Sequence, residues 1–343
     1  MIRAAGRTRL VGWEDVWLSL TLEAVEKRFG ATRAVADLTL EIAAGATFGL
    51  IGPNGAGKTT TMRLILSILD PDRGRVLWRG RPVGEWPRSG FGYLPEERGL
   101  FPRMRVREQI AFFGELHGLF RTEARARTDR WIERLQLQPH ADKTASSLSK
   151  GNAQKAQLAI ALLCAPELVI LDEPFSGLDP VNVQLLKGVI RDAAGEGRTL
   201  IFSSHRMDHV EELCKGVALI DHGRVSVAGA VEDVRRASGR LHVRVGYVPG
   251  TPEAAYAQLQ ARLGLGDPVR SAGDFREYAL AAGQAPPVEA LLAAVSVCGT
   301  PQVFAVVPPS LEDIYVQRVG AHPPEEGAEA VRPERRRRGG WRR

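Results

Sequence analysis

Gly52-Pro-Asn-Gly-Ala-Gly-Lys-Thr-Thr60 fits the pattern GxxxxGK[ST], and its flanks decide what fold carries it. Thr47-Phe-Gly-Leu-Ile51 before it reads as a short buried strand. Thr61-Met-Arg-Leu-Ile-Leu-Ser-Ile-Leu69 after it has apolar residues at helical spacing. Strand, glycine-rich turn and helix are the context in which this motif holds phosphate. Gly52, Gly55 and Gly57 let successive backbone N–H groups turn inward around phosphate oxygens, and the helix start adds its positive dipole end. Lys58 offers a point charge for β- and γ-phosphates, and Thr59 a hydroxyl for Mg²⁺. With Asn54 and Thr60 these residues form a candidate nucleotide site. A chance match in an ordinary turn is the competing reading, and the two correct flanks argue against it.

Downstream, Leu168-Val-Ile-Leu-Asp-Glu-Pro174 is an apolar strand that runs out into two adjacent carboxylates. Neighbouring strand residues point to opposite faces, so Asp172 and Glu173 are expected to take different jobs. Asp172 can hold Mg²⁺ opposite Thr59. Glu173 can orient or deprotonate an attacking water as general base. An exposed acidic strand end is the bland alternative; the phosphate loop in the same chain weighs against it.

Strand-like patterns also occur at residues 20–25, 36–42, 199–203 and 217–221, and a helical stretch is expected over 105–137. Strands alternating with helices predict a largely parallel sheet covered on both faces, closing near residues 225–229. Beyond it the pattern changes to strand 241–248, helix 253–263, strands 268–271 and 275–280, helix 287–297 and strand 302–307. This β-α-β-β-α-β order suggests a small ferredoxin-like appendage. A last amphipathic helix, 310–319, is expected to pack back on the body.

The chain has 343 residues and a net charge of +6. Seven arginines and one glutamate in residues 332–343 carry that whole excess, so the body is formally neutral. A nucleic-acid binder spreads basic charge over its folded surface, and this body does not. The tail is expected to be disordered and solvated. Cys164, Cys214 and Cys298 form no CxxC pair and have no histidine at metal spacing, which points to a reducing compartment and no zinc site. No apolar run approaches the roughly 20 residues that a membrane span needs. The expectation is a cytoplasmic chain, held at a membrane only by a partner.

Between the two nucleotide motifs lies Leu148-Ser-Lys-Gly-Asn152, opening a helical run. After the carboxylates come Ser176-Gly-Leu-Asp179 and then Ser204-His205 at the end of a strand. In this order, over residues 20–225, the sequence resembles the ATP-binding cassette (ABC) family. Leu148–Asn152 looks like the family's LSGGQ signature, with Lys150 and Asn152 departing from it. The resemblance implies that Ser149 and Gly151 bind the γ-phosphate of ATP held by a second subunit; taken alone, Ser149 is an ordinary helix cap. It further implies that residues 176–179 cross a dimer interface and that His205 contacts the γ-phosphate and steadies Glu173. Phe29 resembles the aromatic that stacks on adenine, against a competing reading as a core residue. Where the family has a glutamine linking Mg²⁺ to the membrane domain, this chain has Glu96. Either Glu96 reaches the metal through water, or the link is made by the backbone of its loop.

The fold class implied is α/β: a P-loop NTPase cassette of the ABC type over residues 19–229, with a helical subdomain at about 97–160. Residues 1–18 form a flexible extension, 230–320 a small α+β domain of ferredoxin-like type, and 321–343 a disordered basic tail. The implied activity is ATP hydrolysis with Mg²⁺. The implied partners are an integral membrane permease and a second ATP-binding subunit, identical or closely related, and no nucleic acid. The implied place is the inner face of the cell membrane. Gly92-Tyr-Leu-Pro-Glu96, the signature wording and the C-terminal appendage look like ABC-2 export systems, which include sodium-extrusion and drug-resistance ATPases. A soluble ABC ATPase acting on ribosomes or nucleic acid is the alternative, disfavoured by a single cassette and a neutral body.

Overall fold

The computed structural model describes residues 18–320, except Arg98 and Asp274. Of the extension expected over residues 1–18, residues 1–17 lie outside the described residues, as does the basic tail (321–343), while Leu18 already belongs to the first strand. Strands β1 (Leu18–Phe29) and β2 (Thr32–Ala43) form a hairpin with Phe29 opposite Thr32. Strand β3 (Thr47–Ile51) is buried at every position and leads into the phosphate loop and α1 (Lys58–Ile65). Then come β4 (Arg73–Trp78), β5 (Arg81–Pro82) and β6 (Phe91–Leu94). The first two strands do not join a parallel sheet, as the alternating pattern suggested. With β4 and β5 they build a separate antiparallel sheet in the order β2-β1-β4-β5. A two-residue connection can only join antiparallel neighbours, which fixes this outcome locally. The helix after the phosphate loop also ends four residues earlier than its spacing suggested. The N–H groups of Ile68 and Leu69 fold back onto the carbonyl of Arg63.

Next come α2 (Val106–Leu116), α3 (Arg121–Arg134) and α4 (Lys150–Leu162). The expected stretch 105–137 is thus two helices, broken at residues 117–120. Leu116, an apolar residue at the end of α2, is exposed. Strand β7 (Leu168–Asp172), α5 (Pro180–Gly195), β8 (Thr199–Ser203), α6 (Met207–Leu213), β9 (Gly216–Asp221), β10 (Arg224–Ala230) and α7 (Val231–Arg236) complete this body. Its main sheet runs β10-β9-β3-β8-β7-β6, parallel except for β10. Apolar side chains of α1 pack with Phe48 and Leu50 and with Leu22, Leu40 and Trp78 of the antiparallel sheet. The opposite face of the parallel sheet is covered by α4, α5 and α6. The C-terminal ends of β3, β7 and β8 therefore reach the surface together, where ligands bind in sheets of this kind.

The remaining elements are β11 (Arg240–Tyr247), α8 (Ala254–Leu263), β12 (Arg270–Ala272), β13 (Phe275–Ala281), α9 (Val288–Cys298), β14 (Pro301–Val307) and α10 (Leu311–Val319). The sheet order β12-β13-β11-β14 is wholly antiparallel. With α8 and α9 packed on Val243, Val245 and Tyr278, this is the ferredoxin-like arrangement that the element order suggested. Helix α10 starts with a capping box between Ser310 and Asp313. It packs back on the first body as expected, with Leu311 and Ile314 joining that core. The Leu311 N–H donates to Glu211 Oε1 of α6 at 2.5 Å. Leu311→Ala should cost about 2–4 kcal/mol through transfer and cavity terms. A lowered urea midpoint measures this, and an unchanged midpoint would show that α10 is not packed into this core.

Candidate functional site

Backbone geometry explains the spacing of the phosphate loop. At Gly52 φ is +152° and an added Cβ would lie 2.1 Å from the Ile220 carbonyl oxygen; at Gly57 φ is +105° and the Ala34 carbonyl oxygen would be 2.4 Å away. No side chain fits either position, so the loop can close against β9 and β2 only with glycine there. Lys58, at the first turn of α1, is buried, and its ammonium donates to the carbonyls of Gly52 at 2.8 Å and Pro53 at 2.9 Å. Burial lowers its pKa below the usual lysine value, and the charges of Glu173, Asp172 and Glu96 oppose that shift.

Across the cleft, Asp172 ends β7 fully buried. Its Oδ2 accepts from the Thr59 hydroxyl at 2.9 Å, and its Oδ1 accepts from Ser203 Oγ at 2.5 Å. A hydroxyl and a carboxylate on facing elements are hard oxygen donors, and this set fits Mg²⁺. Glu173 does take a different direction from Asp172, but not by strand alternation. The chain leaves the strand there, with Glu173 at φ +50°, a left-handed conformation uncommon for a non-glycine residue. Its backbone N–H donates to Ser203 Oγ at 3.0 Å, and its Oε2 lies 2.9 Å from His205 Nδ1. Burial raises the Glu173 pKa above its ordinary value; the hydrogen bond and charge of His205, then Lys58, offset part of the rise.

Asn54, Gly55, Gly57, Lys58, Thr59, Thr60, Glu96, Asp172, Glu173 and His205 thus line one cleft of about 470 Å³. Glu96 stands at its exposed rim, just past β6. Four expected residues do not line it: Gly52, packed against β9, and Phe29, Ser149 and Gly151. Phe29 is 50% exposed at the hairpin end, with Lys27 Nζ 5.9 Å from its ring, so it is not a core residue. Ser149 and Gly151 lie at the start of α4, outside this cleft. Ser149 is exposed and caps the helix, accepting from the Asn152 N–H at 3.3 Å. Two further residues belong to the site although the sequence reading did not place them in it. Ser203 ties the Asp172 carboxylate to the Glu173 backbone N–H through one hydroxyl, and a polar residue closing the apolar run Thr199–Ser203 was its only signal. Ser176 lines the cleft as well. Beside the Glu96 segment lies a second cavity of about 420 Å³, mostly apolar, among Phe91, Tyr93, Phe113, Gln157, Ile160 and Pro166.

The model of the family described as ABC transporter matches residues 35–176. The uncharacterized ABC transporter ATP-binding protein YhaQ of Bacillus subtilis is 40% identical over 302 residues, 88% of this chain and 99% of that protein. The Nod factor export ATP-binding protein I of Paraburkholderia xenovorans is 35% identical over 215 residues, 62% of this chain and 71% of that one. Among solved structures, an ATP binding subunit of an ABC transporter superposes with a TM-score of 0.60 at 29% identity, covering 64% of this chain and 93% of that chain.

The raised Glu173 pKa carries a stability sign. The fold favours the neutral acid, so ionising Glu173 costs stability; the cost is absent below the ordinary glutamate value of 4.5 and complete above the raised one. Glu173→Gln, which cannot ionise, should therefore melt a few degrees above the wild type at pH 8, with the difference vanishing near pH 4.5. Thermal melts of both proteins across that range test this; a Gln variant less stable at pH 8 would refute it.

Proposed function

The chain belongs to the ABC transporter ATP-binding protein family, and from that premise we propose that it acts as one of two subunits sharing a pair of ATP molecules beneath a membrane permease. It binds and hydrolyses ATP, as this family does. Proteins of the family dimerise and work with membrane permeases. The observation that carries the detailed reading is the meeting, in one cleft, of Lys58, the Thr59–Asp172 pair and the Glu173–His205 pair.

In this reading the backbone N–H groups of residues 52–57 wrap the phosphates. Lys58 turns its ammonium from the loop carbonyls to the β- and γ-phosphate oxygens. Thr59 and Asp172 would hold Mg²⁺, which supplies charge neutralisation to the phosphate tail. Glu173 takes a proton from the attacking water or orients it; the burial that raises its pKa also makes it a stronger base. His205 fixes the carboxylate through the 2.9 Å contact. Phe29, exposed beside the hairpin turn, stacks on the adenine. Ser149 of the partner subunit and the first N–H groups of its α4 close over the γ-phosphate, since a helix start with an exposed hydroxyl is an anion site.

The apolar cavity beside the Glu96 segment offers a seat for the permease, so that Glu96 lies between nucleotide and membrane partner. Among the described residues no helix is long and apolar enough to cross a membrane; from the family's work with membrane permeases we place the chain at the cytoplasmic face, held there by the permease. The Nod factor export relative and the ABC-2 likeness favour export.

Glu173→Gln should form ATP-bound dimers while hydrolysis falls by about 100-fold or more, the scale of losing a general base. Light scattering on size-exclusion runs with ATP, beside a phosphate-release assay, decides it. A monomeric variant, or one with wild-type turnover, refutes the shared site. Wild-type specific activity should also rise with protein concentration at high dilution; strict proportionality of rate to concentration there would count against a dimeric catalyst.

A further inference from the structure

Lys150 occupies the place of a signature glycine, and its side chain does not point away into solvent. Its ammonium donates to Ser176 Oγ at 3.2 Å. Among the described residues it has no carboxylate within ion-pair distance. Its aliphatic stem lies over Gly177, where an added Cβ would stand 2.8 Å from Nζ, 2.9 Å from Cδ and 3.1 Å from Cε. Gly177 itself has φ +70°. Only a glycine leaves room for this stem and takes that conformation without strain.

Ser176 closes the turn that begins at Glu173. Its N–H donates to the Glu173 carbonyl at 3.1 Å. The same carbonyl accepts from Gln154 Nε2 of α4 at 3.4 Å. Helix α4 therefore grips this turn at both ends, through Gln154 at its start and Lys150 at its finish. Between those grips Glu173 is held in the left-handed region, a conformation that persists only where surrounding contacts over-determine it.

We propose that Lys150 is a positioning residue. It fixes the Ser176 end of the turn and so aims Glu173 into the cleft. It does this from the helix start that, on the shared-site reading on which this inference rests, faces the nucleotide of the other subunit. Closure over one nucleotide is then felt by the carboxylate at the other.

The test uses the full chain with ATP and Mg²⁺. Lys150→Met keeps the stem and loses the donor. Its kcat should fall about tenfold, the scale of a small misplacement of a catalytic group. KM should stay within about twofold, the Hill coefficient for ATP should drop toward one, and the thermal midpoint should not move. Lys150→Arg, which retains a donor, should recover most of the rate and cooperativity. Ser176→Ala removes the same bond from its other end; the double variant should then be no worse than either single one.

Unchanged kcat and cooperativity in Lys150→Met would overturn the proposal, as would failure of arginine to rescue. Loss of ATP-driven dimerisation when Lys150→Met is added to Glu173→Gln would also overturn it, since the lysine would then be gripping the partner's phosphates instead. Glu173→Gln alone separates the two readings. If it does not dimerise with ATP, the shared site falls; if it does, and Lys150→Met behaves as wild type, only the lysine's role falls.

Discussion

One hydroxyl ties together the two adjacent acidic residues of the candidate site. Ser203 Oγ donates to Asp172 and accepts from the Glu173 N–H, so a single buried atom fixes the last strand residue and the first one beyond it. Two acids in succession at the end of a buried strand would repel each other and cost desolvation if they pointed the same way. Turning the backbone left-handed at Glu173 separates them. Asp172 goes down to Thr59, and Glu173 goes across to His205. The strain of that turn is of order 1–3 kcal/mol. It is offset by hydrogen bonds from β8, from α4 and within the turn itself. The parallel register that sets Asp172 beside Ser203 is therefore what the cleft needs most from the fold.

How much of this could be read from the chain follows the range of each interaction. The phosphate loop was legible because contiguous backbone makes it, and strand, glycines and helix lie side by side in the sequence. The C-terminal domain was legible for the same reason: its apolar periods switch between two and 3.6 within short, well-separated runs. The antiparallel sheet was not. β4 has one charge at each end of Arg73-Gly-Arg75 and exposed residues through its first half, so it carries no alternating signal, and its pairing with β1 is set by the hairpin already formed. The Thr59–Asp172 contact joins residues 113 positions apart. The two residues could be named from their motifs, yet only the fold brings them together. The direction of Glu173 was inferred correctly for a wrong reason, because a turn that depends on Ser203, Gln154 and Ser176 leaves no local mark.

The C-terminal domain is joined to the nucleotide-binding body by more than a linker. On one side α10 buries Leu311 and Ile314 in the core shared with α6, the helix that follows His205. On the other, Asp313 of α10 lies 3.7 Å from His242 of β11, whose Nδ1 is 2.7 Å from Glu277 of β13. Arg244 completes the group, donating to the other Glu277 oxygen at 2.9 and 3.0 Å. A buried glutamate with such partners adds little net stability, because desolvation cancels much of the attraction. Its directional bonds do restrict how the helix can sit. Apolar packing thus holds α10 on the body, while polar contacts orient the appended sheet on α10.

Charge bears on the proposal that two chains share the nucleotides. Its lining sets three carboxylates, Glu96, Asp172 and Glu173, against a single ammonium on Lys58. A nucleotide triphosphate would add several further negative charges to a site already short of positive ones. The metal offsets part of this, and the loop N–H groups another part. The start of α4, by contrast, lies outside the lining of its own cleft, with Ser149 exposed and no acidic residue in its first turn. On the proposed reading, the α4 start of one copy and the cleft of another are complementary surfaces. Two copies related by a two-fold axis would satisfy both deficits at once, since an isologous contact places each copy's helix start over the other's cleft. The sharing of nucleotides proposed for this chain then follows from electrostatic need as well as from family likeness.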